Sequence, residues 1–197
     1  MSAPDDSVPR TCGRCQEHHR PPAGSMHMTD GEMRPLTNDG WRFESSCFVC
    51  EPRNTAGLRI PFHHDVGAER VVAEFFLDER FSGAPKFVHG GVLLAILDEA
   101  MAWATIAIAS RFAVTTETTS RFARPVKIGR DHTVHAWIDG IDGRIIRTGA
   151  EIVDASDRLC VTTAAIFTGL DPERVVDAVG TEITGDAATY IEQTSAR

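Results

Sequence analysis

Residues 87–110 read FVHGGVLLAILDEAMAWATIAIAS. A turn of His89, Gly90 and Gly91 opens the stretch, and an apolar run follows that only Asp98 and Glu99 interrupt. Beyond Gly91 the run lacks Pro and Gly and is rich in Leu, Ala, Met and Ile, which predicts a helix beginning at the glycines. Apolar residues fall on nearly every side of that helix, so it is expected to be buried. Two adjacent carboxylates in such a helix are costly unless each is hydrogen-bonded, paired or turned toward a pocket. That conflict between apolar surroundings and acid is the main functional clue in the chain.

On either side of this stretch the pattern changes to strands. Residues 57–64 (GLRIPFHH) alternate Leu58, Ile60 and Phe62, and residues 70–77 (RVVAEFFL) are apolar on both faces. Residues 114–122 are rich in β-branched side chains and stop at Arg124-Pro125. Residues 132–141, 144–153 and 159–168 read as three more strands. Turns at Asp142-Gly143 and residues 154–157 make them an antiparallel meander. Asp171 as cap and Pro172 at the first position open a short helix. The order of two strands, a long helix and four strands predicts an α+β fold, one antiparallel sheet packed on one helix. A sheet covers only one side of a helix. The uncovered apolar side calls for a second copy, so a homodimer is expected.

At 197 residues the chain suits one core domain with an appendage. The expected division is a Cys-rich extension over 1–56, the core domain over 57–170, and a short helix with a polar tail over 171–197. A net charge of −8 makes nucleic acid a poor partner. The first ten residues have no apolar centre, and the apolar run is broken by its acids. A cytoplasmic protein with no membrane partner is therefore expected.

Five cysteines in such a setting point to metal or free thiols rather than disulfides. Cys12 and Cys15 form one CxxC pair and Cys47 and Cys50 another, with 31 residues between them. Four thiolates complete a tetrahedral zinc site, and His18, His19 or His27 could replace one of them. Two unlinked thiol pairs, or a redox CxxC, are the other readings. The first 57 residues hold six Arg against eight acids, which argues against a nucleic-acid-binding zinc module.

The segment HGGVLLAILDEA, followed by TTSRFARPVKIG, resembles the hotdog-fold thioesterases of the PaaI-like group. So does the upstream pattern of Cys47, Cys50, Asn54, Gly57 and Leu58. The likeness runs over about residues 47–168. It implies an antiparallel sheet wrapped round a long central helix, and dimers that often pair into tetramers. It also implies hydrolysis of acyl-CoA thioesters without a cofactor for catalysis; any zinc would be structural. Carried over by position, the catalytic acid is Asp98, nine residues after His89. The oxyanion donor is the Gly90 amide with Gly91 beside it, and Thr115 helps to hold the water. Some members carry Asn where this chain has Gly83. The first CxxC, the tail and Glu99 have no counterpart in that pattern.

The chemistry can be argued without the likeness. Thioester hydrolysis needs an activated water and donors for the tetrahedral oxyanion. Glycines at a helix N-terminus expose N–H groups at a favourable dipole end. Asp98 can be a general base or a nucleophile. Gly91 and Asp98 share a helix face but lie roughly 10 Å apart along the axis. One carbonyl cannot reach both, so the site is expected between two antiparallel helices, Asp98 of one chain facing Gly90 of the other. His89 is either a turn residue bonded to backbone or a group that orients the thioester. Glu99, about 100° further round, is expected to form a salt bridge or face solvent. Arg121, Arg124, Lys127 and Arg130 suit the phosphates of coenzyme A. Phe75, Phe76, Phe81, Phe87 and Trp103 are candidates for an acyl pocket, though core packing explains most of them. The competing readings are a non-catalytic acyl-CoA-binding module and, more distantly, a thioester dehydratase or hydratase.

Overall fold

A computed structural model of the chain describes residues 32–38 and 45–180. In chain order these form β1 (Met33–Leu36), β2 (Phe62–Asp65), β3 (Arg70–Phe76), β4 (Ser82–Ala84), β5 (Phe87–Val88), helix α1 (Gly90–Ala107), β6 (Ala113–Phe122), β7 (Asp131–Asp142), β8 (Ile145–Asp154), β9 (Leu159–Gly169) and helix α2 (Pro172–Val179). Seven of the strands make one sheet in the order β1-β2-β3-β7-β8-β9-β6, antiparallel at every pairing. β4 and β5 form a small separate hairpin in front of α1. This is the expected α+β hotdog arrangement, with β7, β8 and β9 as the meander.

Helix α1 lies over β7 and β8 and also touches β3 and β6. Leu93, Ile96, Leu97, Ala100, Met101 and Ala104 recur at helical spacing and are all buried. They pack with the sheet residues Val134, Ala136, Ile146, Ile152, Val161 and Phe167. Ile96 and Leu97 are fully buried, each contributing about 1.5–3 kcal/mol by leaving water. By length and composition α1 would pass for a membrane span, but more than half of it is buried against this protein's own sheet. Burial is nevertheless incomplete. Gly91, Leu94, Ala95, Asp98 and Ala102 form a stripe that the sheet leaves at least partly open.

The N-terminal segment is more integrated than its composition suggests. β1 lies in the stretch read as an extension, yet it pairs with β2 and forms one edge of the main sheet. The strand expected over 57–64 is shorter, because Leu58 and Ile60 donate instead to the carbonyls of Phe48 and Val49. Val49 is buried in the core, so the Cys47–Cys50 turn is fastened to the body of the domain. At the other end, Asp171 precedes α2 as expected but makes no side-chain cap bond. Its carboxylate pairs with Arg144 and Arg174.

Candidate active site

The His-Gly-Gly turn is fixed by backbone pairing on both sides. The Val88 N–H donates to Val126 O, and the His89 N–H donates to Phe81 O. His89 is the N-cap of α1, in extended conformation, with its Nδ1 accepting from the Gly91 N–H at 2.9 Å. Of its two sequence-level readings, the structure shows the backbone-bonded turn residue. Gly83 sits against it. A Cβ at Gly83 would lie 3.0–3.3 Å from His89 atoms, so an Asn in its place would have to displace the histidine.

This cap distinguishes the two glycine amides. The Gly91 N–H is committed to His89, which removes it as an oxyanion donor in this arrangement. The Gly90 N–H donates to nothing among the described residues. It lies in the first turn of an eighteen-residue helix, where the backbone dipoles favour negative charge. Gly90 also lines a cleft of about 320 Å³ shared with Phe87, Leu93, Phe122, Arg124 and Pro125.

Asp98 lies two turns further along, half-buried on the uncovered stripe. Its Oδ1 accepts from Thr115 Oγ1 at 2.7 Å. A bulge explains how a strand residue comes to aim there. The β6–β9 register slips between Thr115 and Glu117, and such an insertion re-aims neighbouring side chains. The extra residue, Thr116, is tied back to Ile166 O at 3.0 Å. Asp98 and Thr115, 17 residues apart in sequence, are therefore brought together. Asp98 and Gly90 are not: eight residues of one helix separate them, about 12 Å of rise.

The basic residues divide. Arg124 is on the cleft wall, its guanidinium donating to Leu159 O at 2.7 Å. Arg121 and Lys127 are exposed and do not line the cleft, and neither makes an ion pair among the described residues. Of the aromatic candidates, Phe87 lines the cleft and Phe75 is core, whereas Phe76 is exposed. Phe122 is a wall residue that strand reading missed; it lies over Gly90.

Glu99 overturns its expectation. It is half-buried and makes no ion pair among the described residues. Its carboxylate faces the thiols of Cys47 and Cys50, one ligand atom of each lying within 4.8 Å of the others. Burial, helped by the neighbouring Cys47 thiol, pushes its carboxyl up to about 7. The other proposed ligands Cys12 and Cys15, with His18, His19 and His27, lie outside the described residues.

Residues 86–161 match the family model described as the thioesterase superfamily, a span that holds the turn, all of α1 and Thr115. Acyl-coenzyme A thioesterase THEM4 from Mus musculus is 29% identical over 119 residues, which are 60% of this chain and 51% of that protein. The chain thus spans about half the length of this curated relative. A crystallised thioesterase superfamily protein superimposes with a TM-score of 0.60 at 26% identity, covering 66% of this chain and 64% of that one. Thioesterase HI1161 from Haemophilus influenzae shares the fold, with a TM-score of 0.54 at 19% identity over 62% of this chain and 85% of its own.

Proposed function

We propose that this chain, a hotdog-fold thioesterase by its matched segment and its architecture, hydrolyses an acyl-CoA thioester at a site shared by two copies of itself. The observation that carries the reading is the Thr115–Asp98 hydrogen bond of 2.7 Å on the open stripe of α1. It holds a carboxylate oriented and within reach of solvent, yet too far from the free Gly90 amide to serve the same carbonyl within one chain. A second copy supplies what is missing. Two α1 stripes packed antiparallel bring Asp98 of one chain toward Gly90 of the other. The edge strand β6, with Val114 and Phe122 exposed, is covered by the same association.

In this arrangement Asp98 takes a proton from water as the water oxygen attacks the thioester carbon. The Gly90 N–H of the opposite chain stabilises the oxyanion. Collapse expels the thiolate of coenzyme A, which takes the proton from Asp98 and leaves a free carboxylic acid. Arg124 at the cleft, with Arg121 and Lys127 nearby in sequence, suits the phosphates of the CoA moiety. A cytoplasmic setting, where thiols stay reduced, belongs to the same reading.

The experiment is steady-state release of CoA thiol from a panel of acyl-CoAs, with oligomeric state measured in parallel. The wild type should turn over at least one acyl chain length. Asp98→Asn should keep the dimer and lose roughly 100- to 10,000-fold in kcat, the usual range for removing a general base. Binding of acyl-CoA by the wild type without turnover would instead make the protein a binding module. Full activity in Asp98→Asn would remove that residue from the chemistry.

A further inference from the structure

The thiols of Cys47 and Cys50 and the carboxyl of Glu99 converge on one point. One ligand atom from each lies within 4.8 Å of the other two. They come from two distant parts of the chain, a tight turn and the middle of α1. The turn is built to present sulfur. Cys47 Sγ accepts from the N–H of Val49 at 3.3 Å and of Cys50 at 3.5 Å, contacts that favour a thiolate. Asn54 braces it, donating to Ser46 O at 3.0 Å and Cys47 O at 3.3 Å while accepting from the Ala56 N–H at 3.0 Å.

The three groups all carry the same sign of charge when ionised. Three acidic groups this close cannot all ionise in a half-dry site without a counter-charge. A cleft of about 210 Å³ opens beside Cys47 and Glu99, with Asn38 and Ser45 on its wall. That is ample for a water molecule at a fourth position.

We propose that Cys47 Sγ, Cys50 Sγ and a Glu99 carboxylate oxygen bind one zinc-class divalent cation, its fourth position open to this cleft. Two sulfur donors select zinc over magnesium or calcium. Binding expels the protons that the cluster holds, and the ion takes their place. The ion ties the 47–50 turn to α1 at the residue adjoining Asp98. The site differs from a four-cysteine centre, in which Glu99 would have no part.

The test is titration of chelator-treated full-length protein with Co²⁺, followed by competition with Zn²⁺. The expected signal is a thiolate-to-cobalt charge-transfer band with the intensity of two thiolates, together with the strong visible bands of a tetrahedral ion. Glu99→Gln should weaken binding by at least about tenfold and keep the thiolate band. Cys47→Ser should lose most of that band, and Cys12→Ser with Cys15→Ser should match the wild type. X-ray absorption of the zinc-loaded wild type, which depends on no variant, should count two sulfur and two lighter donors. A wild type without the band, a Glu99→Gln protein with unchanged affinity, a band that falls in the Cys12/Cys15 variant, or four sulfur donors would each overturn the assignment.

Discussion

Asp98 and Glu99 are neighbours in the chain, and one helical step of about 100° sends them to different places. Asp98 reaches the open stripe and Thr115, whereas Glu99 turns inward to two thiols. The Thr115 hydroxyl donates to Asp98 Oδ1 and so fixes the rotamer of the carboxylate. Thr115→Ala should therefore lower kcat by about 10- to 100-fold, the kinetic counterpart of losing a hydrogen bond to a charged group. Thr115→Ser should restore most of it. If both variants matched the wild type in steady-state assays, the hydroxyl would have no part in positioning. The setting of Asp98, on the helix face of the His-Gly-Gly turn, was legible, because both lie in one element. That of Glu99 was not. Its partners are some fifty residues upstream, and no periodicity within a helix reports what a distant loop will place beside it.

The elements were legible wherever local patterning and burial agreed, as in α1 and the β7-β8-β9 meander. They were obscure where pairing is settled by tertiary contact. β1 is four residues long and three of them are exposed, so it carries no alternation to read. The bulge in β6 leaves no mark in a run of threonines. Within the sheet, β7 carries a cost that appears only in acid. His135 is half-buried, with Nδ1 enclosed and lacking a partner among the described residues. Burial, with Arg70 adding to it, lowers its pKa from 6.5 to about 4. The folded state therefore binds this proton less well than the unfolded state. Its contribution to stability is complete above about pH 6.5 and is lost as pH falls toward 4. Denaturant unfolding across that window should show stability falling with pH in the wild type and a flatter profile in His135→Gln. Parallel profiles would remove His135 as a cause of acid sensitivity.

For the whole molecule, the sheet has two edges, and they differ. β1 is short, whereas β6 runs ten residues with one side unpaired among the described residues. Such an edge, beside a helix whose Leu94 is 39% exposed, asks to be covered. Leu94→Glu places a charge on that stripe. Sedimentation should show a shift from dimer to monomer, with turnover falling alongside. An active monomer would show that one chain suffices. The apolar character of α1 was legible in the sequence, and its incomplete enclosure by the sheet is what the proposed second copy rests on.

The separation of Gly90 from Asp98 along one rigid helix has a consequence for mixed populations. Gly90→Pro would remove the free amide while suiting the first position of a helix, and His89 before it is already extended. Neither Gly90→Pro nor Asp98→Asn should work by itself. Unfolded and refolded together in equal amounts, they should recover about a quarter of wild-type activity. Half of the dimers would then be hybrids with one intact site each. Two inactive proteins would complement one another because neither lesion lies in the half of the site that the other still provides.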